Sequence, residues 1–249
     1  MEEKYPNVSS YTYTIGNPVN YLDILGLKPD DYEAAAIADD VYDPGKKKLP
    51  GNWVYVDFGI KNEKFKLKDN KTGFISGIYG RYDPKTKEFT EYVYATAGTE
   101  FFSMSDWKNN VTQLIGLSSQ YSQSVNNARI LSNVMNELGL DLTFVGHSLG
   151  GGEASANALA TGNPAITFNA AALSSYTKEA LSLNKKADIK AFVVQGEIVD
   201  HVQKNYLNMR AEGKIQYLKA DYSNKKFIRT GQRLYNHTMR AIKKKLKPK

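Results

Sequence analysis

The chain predicts an α/β fold, with a mostly parallel central sheet and helices on both of its faces. One observation is alternation. Through the second half, short apolar runs fit for strands (142–145, 165–169, 189–195) take turns with helix-like runs (151–160, 175–183). Strands joined by helices pair in parallel, and the helices then cover both faces of the sheet. Another is the knot "GHSLGGG" at 146–152, where a strand passes into a helix through mostly tiny residues. The third is size, since 249 residues with 41% hydrophobic side chains suffice for one sizeable core.

Taken in order, residues 11–29 ("YTYTIGNPVNYLDILGLKP") alternate aromatics and then gather turn residues, unlike the rest of the chain. Residues 1–28 are therefore set apart as a linker, and 29–249 as the folded domain. "DDYEAAAIADDVY" is rich in helix formers and has aspartates at its start, where they cap and meet the dipole. "GNWVYVDFGI" and "GFISGIYGRYD" carry the aromatic and β-branched residues of strands, and "PKTK" turns the chain into "EFTEYVYATAG". From Asp106 to Leu138 the apolar spacing is helical, with Gly139 as the stop. After the alternating half, residues 235–246 predict a final basic helix. No internal repeat is visible.

Charge and composition narrow the function classes. There is no cysteine, which excludes disulfides, thiol nucleophiles and cysteine metal sites. With no His-x-x-x-His and no Asp-rich loop, no dedicated metal site is evident, and no cofactor is expected. The net charge of +7 gathers in "GKKKLP" (45–50), "SNKKF" (223–227) and "RAIKKKLKPK" (240–249). Such clusters fit a solvated surface, or attraction to anionic lipid headgroups. Nucleic-acid binding is not expected, because no helix-turn-helix, zinc or RNA-binding signature accompanies the charge. No run of about eighteen apolar residues has the makings of a membrane-crossing helix. "MEEKYPNVSS" lacks the basic-then-apolar layout of a secretory signal, so export by some other route is expected.

Gly146-His147-Ser148-Leu149-Gly150 fits G-x-S-x-G, a pattern chance supplies in about one chain in ten of this length. Context sharpens it. A nucleophile elbow needs a strand before, a helix after and tiny neighbours, because the serine backbone is strained. A serine hydroxyl is a weak nucleophile until a base takes its proton. Of the three histidines, His147 adjoins the serine and is expected to turn into the core as a structural residue. His201 follows the strand that should carry the acid, a poor place for the base. His237, in "YNHTMRAI", lies well downstream, where it would open the last helix. The acid belongs after "AFVVQ", where it can hold the imidazole tautomer and offset its charge. "GEIVDH" offers Glu197, sooner after the strand, and Asp200, the commoner chemical type. The order serine, acid, histidine is that of the α/β-hydrolases.

"YVYATAGTEFFSMSDWKNNV" (92–111) resembles a stretch of the class 3 (fungal-type) lipases, in which a strand ends at R-G-T or R-G-S and a D-W-x-x-N-like segment comes next. Gly98, Thr99, Asp106, Trp107 and Asn110 fit, while Ala97 stands in place of the arginine. The resemblance implies that Thr99 supplies one oxyanion-hole donor and the N–H of Leu149 another. It also implies a lid around Phe101, Phe102, Met104 and Trp107 that meets lipid. The family's strand-then-acid motif resembles N-x-x-D-I-V-P; laid on "VQGEIVDH" it puts Glu197 at the acid and Asp200 at the proline.

Near the N-terminus, Asn17, Pro18, Asp23, Gly26 and Leu27 resemble the junction that closes the core of Rhs/YD-repeat proteins ahead of a variable toxin. Ile24 stands where that family has proline, a departure bearing on self-cleavage at the junction. Together the two resemblances imply a phospholipase toxin of the type VI secretion effector kind, reaching a target cell without a cleaved signal and acting in its periplasm or at its inner membrane. Its partners would be a phospholipid surface, the Rhs shell and a cognate immunity protein. Neutral-lipid or soluble-ester hydrolysis, amide hydrolysis and a non-hydrolytic basic binding module are the competing expectations.

Overall fold

The computed structural model describes residues 28–60, 62–98, 119–220 and 229–248. Helix α1 (Asp31–Asp40) starts at Asp30, whose side chain accepts from the Glu33 N–H while the Glu33 carboxylate accepts from the Asp30 N–H. This reciprocal cap fixes where the helix begins. Its alanines are buried and small, which lets α1 lie close on the sheet. Strands β1 (Trp53–Tyr55) and β2 (Lys68–Asp69) pair antiparallel with β3 (Phe74–Asp83). The "PKTK" turn then folds β4 (Glu88–Thr96) back along β3.

Beyond β4 the chain alternates. Helix α2 (Ser119–Leu138) precedes β5 (Asp141–His147), and α3 (Leu149–Thr161) leads to β6 (Ala165–Phe168). Then come α4 (Ser175–Ala180), β7 (Ile189–Val194), α5 (Ile198–Tyr206), β8 (Lys214–Leu218), α6 (Arg229–His237) and α7 (Met239–Leu246). The sheet order is β1-β3-β4-β5-β6-β7-β8, with β2 on β3, and β4 to β8 run parallel. Side-chain alternation divides the core. Tyr79, Val93, Val145 and Phe168 pack toward α1 and α7, while Ile78, Tyr94, Phe144 and Ala165 pack toward α2 and α3. Burial on both faces is why these strands read as nearly continuous apolar runs.

Register sets the site. Thr96 pairs with Gly146, His147 with Phe168, and Phe168 with Phe192, so the carboxyl ends of four parallel strands lie side by side. That edge is the usual place for a ligand in an open α/β sheet.

Several expectations are corrected. Of "GNWVYVDFGI" only Trp53–Tyr55 pairs as a strand. The expected helix at 235–246 is two helices: Thr238 has an extended backbone (ψ 149°), and its hydroxyl accepts from the Ala241 N–H to start α7. His237 therefore closes α6 and does not open the last helix. Helix α5 and strand β8 escaped the sequence reading. The strand lies at the sheet edge with no fully buried residue, so it has no apolar run to betray it. Residues 106–118 of the helix expected from 106 lie outside the described residues.

Candidate active site

Between the end of β5 and the start of α3 stands one residue, Ser148, at φ 57° and ψ −123°. A non-glycine residue held there costs about 1–3 kcal/mol and persists only when its surroundings fix it. Here the Ser148 N–H donates to the Phe168 carbonyl (3.0 Å), and its own carbonyl accepts from the N–H groups of Gly152 (3.1 Å) and Ala171 (2.9 Å). The two glycines of the pentapeptide are needed for close approach. A Cβ on Gly146 would stand 2.1 Å from the Gly150 carbonyl oxygen, and one on Gly150 would stand 2.2 Å from that of Thr96. The strand, the elbow and the helix after it thus cross at backbone contact. The Thr96 hydroxyl clamps the crossing by donating to the Gly150 carbonyl (2.7 Å).

The Ser148 hydroxyl makes no capping bond to α3, which leaves it for another partner. His237 Nε2 lies 2.9 Å from Ser148 Oγ, and His237 Nδ1 lies 2.6 Å from Glu197 Oε2. A carboxylate accepts only, so Nδ1 carries the proton and Nε2 accepts from the serine. Glu197 is itself the cap of α5. Its Oε2 accepts from the Val199 N–H (2.9 Å) and its Oε1 from the Asp200 N–H (2.6 Å). Both oxygens are held, so the carboxylate cannot swing away from the imidazole. All three side chains are almost wholly withdrawn from water among the described residues: Ser148 is 1% exposed, Glu197 0% and His237 8%.

The structure therefore brings Ser148, Glu197 and His237 together, and it leaves Asp200 out of the chain of bonds. Asp200 Oδ2 turns back to accept from the Gly196 N–H at 3.1 Å. His201 is on α5 with its Nδ1 against Asn205 Nδ2 (2.9 Å). Leu149 opens α3, and its N–H is among those at a helix start that the helix itself cannot satisfy. Thr99, Phe101, Phe102, Met104 and Trp107 lie outside the described residues. Gly98, the residue before Thr99, does lie against the elbow, since a Cβ there would be 3.1 Å from Ser148 Cβ.

His147 is buried as expected, but it does not turn away from the site. Its ring centroid is 4.7 Å from that of His237, and its Nε2 donates to the His237 carbonyl at 2.7 Å. Its Nδ1 then accepts from the Tyr42 hydroxyl (2.8 Å), which accepts in turn from the Gly98 N–H (3.2 Å). Burial first, and the neighbouring His237 second, push the His147 pKa down to about 3, so the ring is neutral at physiological pH. Asn169, at the end of β6 with φ 43°, holds the same segment from the other side. Its Nδ2 donates to the carbonyls of Asn236 (3.1 Å) and His237 (3.2 Å), and its Oδ1 accepts from the Val194 N–H (2.8 Å). The sequence reading missed Tyr42 and Asn169. A polar residue at a parallel strand's carboxyl end was a usable signal for Asn169; Tyr42 carried none.

Among the described residues, no group of three or more acidic or histidine side chains could hold a metal ion, and no helix is long and apolar enough to cross a membrane.

The parallel sheet, the tight strand-to-helix turn and the helices on both faces define a lipase-like α/β-hydrolase fold. Solved structures share it: a triacylglycerol lipase from Penicillium expansum at TM-score 0.53 and 15% identity, covering 77% of this chain and 79% of that one. A lipase from Rhizopus microsporus var. chinensis is similar at TM-score 0.52 and 15% identity, covering 77% and 74%. Residues 33–243 match the Tle-like phospholipase domain, and the chain belongs to that family. It is also 37% identical over 163 residues to an extracellular phospholipase A1 of Serratia liquefaciens, a match covering 63% of this chain and 47% of the relative. The chain thus spans about half the length of the relative it matches.

Proposed function

We propose that the protein is a serine ester hydrolase that removes acyl chains from glycerophospholipids. The observation that carries this reading is the run of bonds from Glu197 through His237 to Ser148, at 2.6 and 2.9 Å. Ser148 Oγ attacks the ester carbonyl as His237 Nε2 takes its proton, and Glu197 stabilises the imidazolium that forms. The N–H groups of Leu149 and Thr99 receive the oxyanion. His237 then protonates the departing lysophospholipid oxygen, leaving an acyl-serine. Water, deprotonated by His237, attacks that ester and frees the fatty acid and Ser148.

Family membership and likeness to a phospholipase A1 support phospholipid as the substrate class. The toxin reading rests on the junction-like residues Asn17, Pro18, Asp23, Gly26 and Leu27. On that reading residues 1–28 are the end of an Rhs shell and 29–249 the toxin. An immunity protein then guards the producing cell, and the target is a membrane reached by type VI delivery.

The test is a liposome assay that separates fatty acid from lysophospholipid, run on the wild type and Ser148→Ala. Release of both products by the wild type, lost in the variant with unchanged circular dichroism, is the expected result. Undiminished release by Ser148→Ala overturns the serine assignment. Activity on triglyceride or soluble esters alone overturns the phospholipid one. Directing the chain to the periplasm or the cytoplasm of a susceptible bacterium tests toxicity, with growth arrest expected from the periplasm.

A further inference from the structure

Two lysine clusters far apart in sequence meet in the fold. Residues 45–50 come after α1, and α7 packs against α1. Asp39, in the last turn of α1, joins them, because its Oδ2 lies 2.8 Å from Lys47 Nζ and 2.6 Å from Lys243 Nζ. Burial pushes the Asp39 carboxyl up, but Lys243 and Lys47 together hold it below its ordinary value. The loop is fastened to the core as well. Buried Asp40 accepts from the N–H groups of Gly45 (2.8 Å) and Lys47 (2.9 Å) and from the Tyr79 hydroxyl (2.9 Å).

Lys46, Lys48, Arg240, Lys244 and Lys247 are exposed around this junction. None of these five pairs with a carboxylate among the described residues, whereas Lys47 and Lys243 do. Asp43, just before the loop, is the exposed acid beside them. The flank borders the candidate active site by two routes. Tyr42, at the end of α1, bonds His147 at 2.8 Å, and Met239, at the start of α7, comes closely after His237 in the chain.

We propose that this α1–α7 flank is a docking surface for anionic phospholipid bilayers, set beside Ser148 so that the bound membrane is presented to the catalytic edge. The proposal rests on the ester-hydrolase reading and names the surface through which that site meets its substrate. Charge complementarity carries it: exposed cations with no carboxylate partner among the described residues gather beside a site for lipid esters, where each contributes about fivefold to partitioning onto an anionic surface. The attraction fades beyond a Debye length, so it is sensitive to salt.

The experiment is co-sedimentation of the Ser148→Ala protein with vesicles of phosphatidylcholine alone or mixed with phosphatidylglycerol. It is repeated with Lys46→Glu, Lys48→Glu and Lys244→Glu combined. A control combines Lys64→Glu, Lys85→Glu and Lys87→Glu, exposed residues beside α2 and in the β3–β4 turn, which make the same change of net charge away from α1 and α7. Expected is binding to the mixed vesicles that falls about a hundredfold or more in the flank variant and little in the control. The same reversals in the wild-type background should leave hydrolysis of a soluble ester unchanged, which shows that the fold and Ser148 are intact. Equal losses in flank and control variants would overturn the proposal, as would no loss in either. Binding of the flank to duplex DNA but not to vesicles would assign it to another partner. Loss of soluble-ester hydrolysis in the otherwise unaltered wild type would count against the ester-hydrolase reading alone.

Discussion

At the scale of single residues, what matters is which group stands behind His237. Glu197 owes its place to a second job: as the cap of α5 it is held by two backbone N–H groups while its Oε2 meets His237 Nδ1. Asp200, one turn later, uses its own carboxylate on Gly196. Glu197→Gln should favour the wrong imidazole tautomer and cost α5 one capping bond, lowering kcat by about 10³–10⁴. Asp200→Asn should keep kcat within a few-fold. Steady-state kinetics on a soluble ester check both, and the opposite ranking would make Asp200 the acid. The sequence alone narrows this choice to two residues. It cannot finish, because the decision depends on how α5 is capped, and α5 itself is not visible in the spacing.

At the scale of elements, α3 carries both the tightest packing and the least favourable burial. Gly150→Ala puts a methyl carbon 2.2 Å from a backbone oxygen of Thr96, which no rotamer change relieves. We expect loss of soluble protein or destabilisation beyond about 1–3 kcal/mol, measured by urea unfolding. Glu153, further along the same helix, is 0% exposed, and neither carboxyl oxygen has a hydrogen-bond partner among the described residues. Replacing it with a side chain of similar size and no polar atoms removes the desolvation cost. Glu153→Leu should therefore raise stability by about 1–3 kcal/mol, read as a higher Tm. Thr238 shows the limit of periodicity as a guide. The apolar pattern runs across it without a break, yet its hydroxyl starts a new helix and leaves His237 at the end of the previous one.

At the scale of the whole molecule, two buried groups set opposite limbs of the stability curve. Folded His147 titrates at about 3, whereas a histidine in an unfolded chain titrates near about 6.5. The unfolded state alone takes the proton in that window, so stability falls as pH drops through it. Glu153 works the other way. Burial raises its carboxyl well above the ordinary value, so the folded state keeps a proton that the unfolded state releases. Stability is then lost as pH rises past the ordinary glutamate value of about 4.3. Urea unfolding across this range should show His147→Gln flattening the acid limb and Glu153→Gln flattening the other. Unchanged slopes would place the controlling groups elsewhere.

The sequence by itself determined the α/β class, the elbow at Ser148 and the candidacy of His237, because each is written locally. Strands and helices declare themselves by apolar period, the elbow by a strand, a serine and glycines in one short stretch, and the candidate base by scarcity, since only three histidines exist. The tertiary structure alone decided the rest. It set Glu197 and not Asp200 against His237, turned His147 toward the His237 carbonyl, brought in Tyr42 and Asn169, and joined the lysines of 45–50 to those of α7. Each is a contact between residues remote along the chain, and such contacts depend on strand register and helix packing, which leave no local pattern. Even the glycines of the elbow, legible as small, were explained only when Thr96 was found pressed against Gly150.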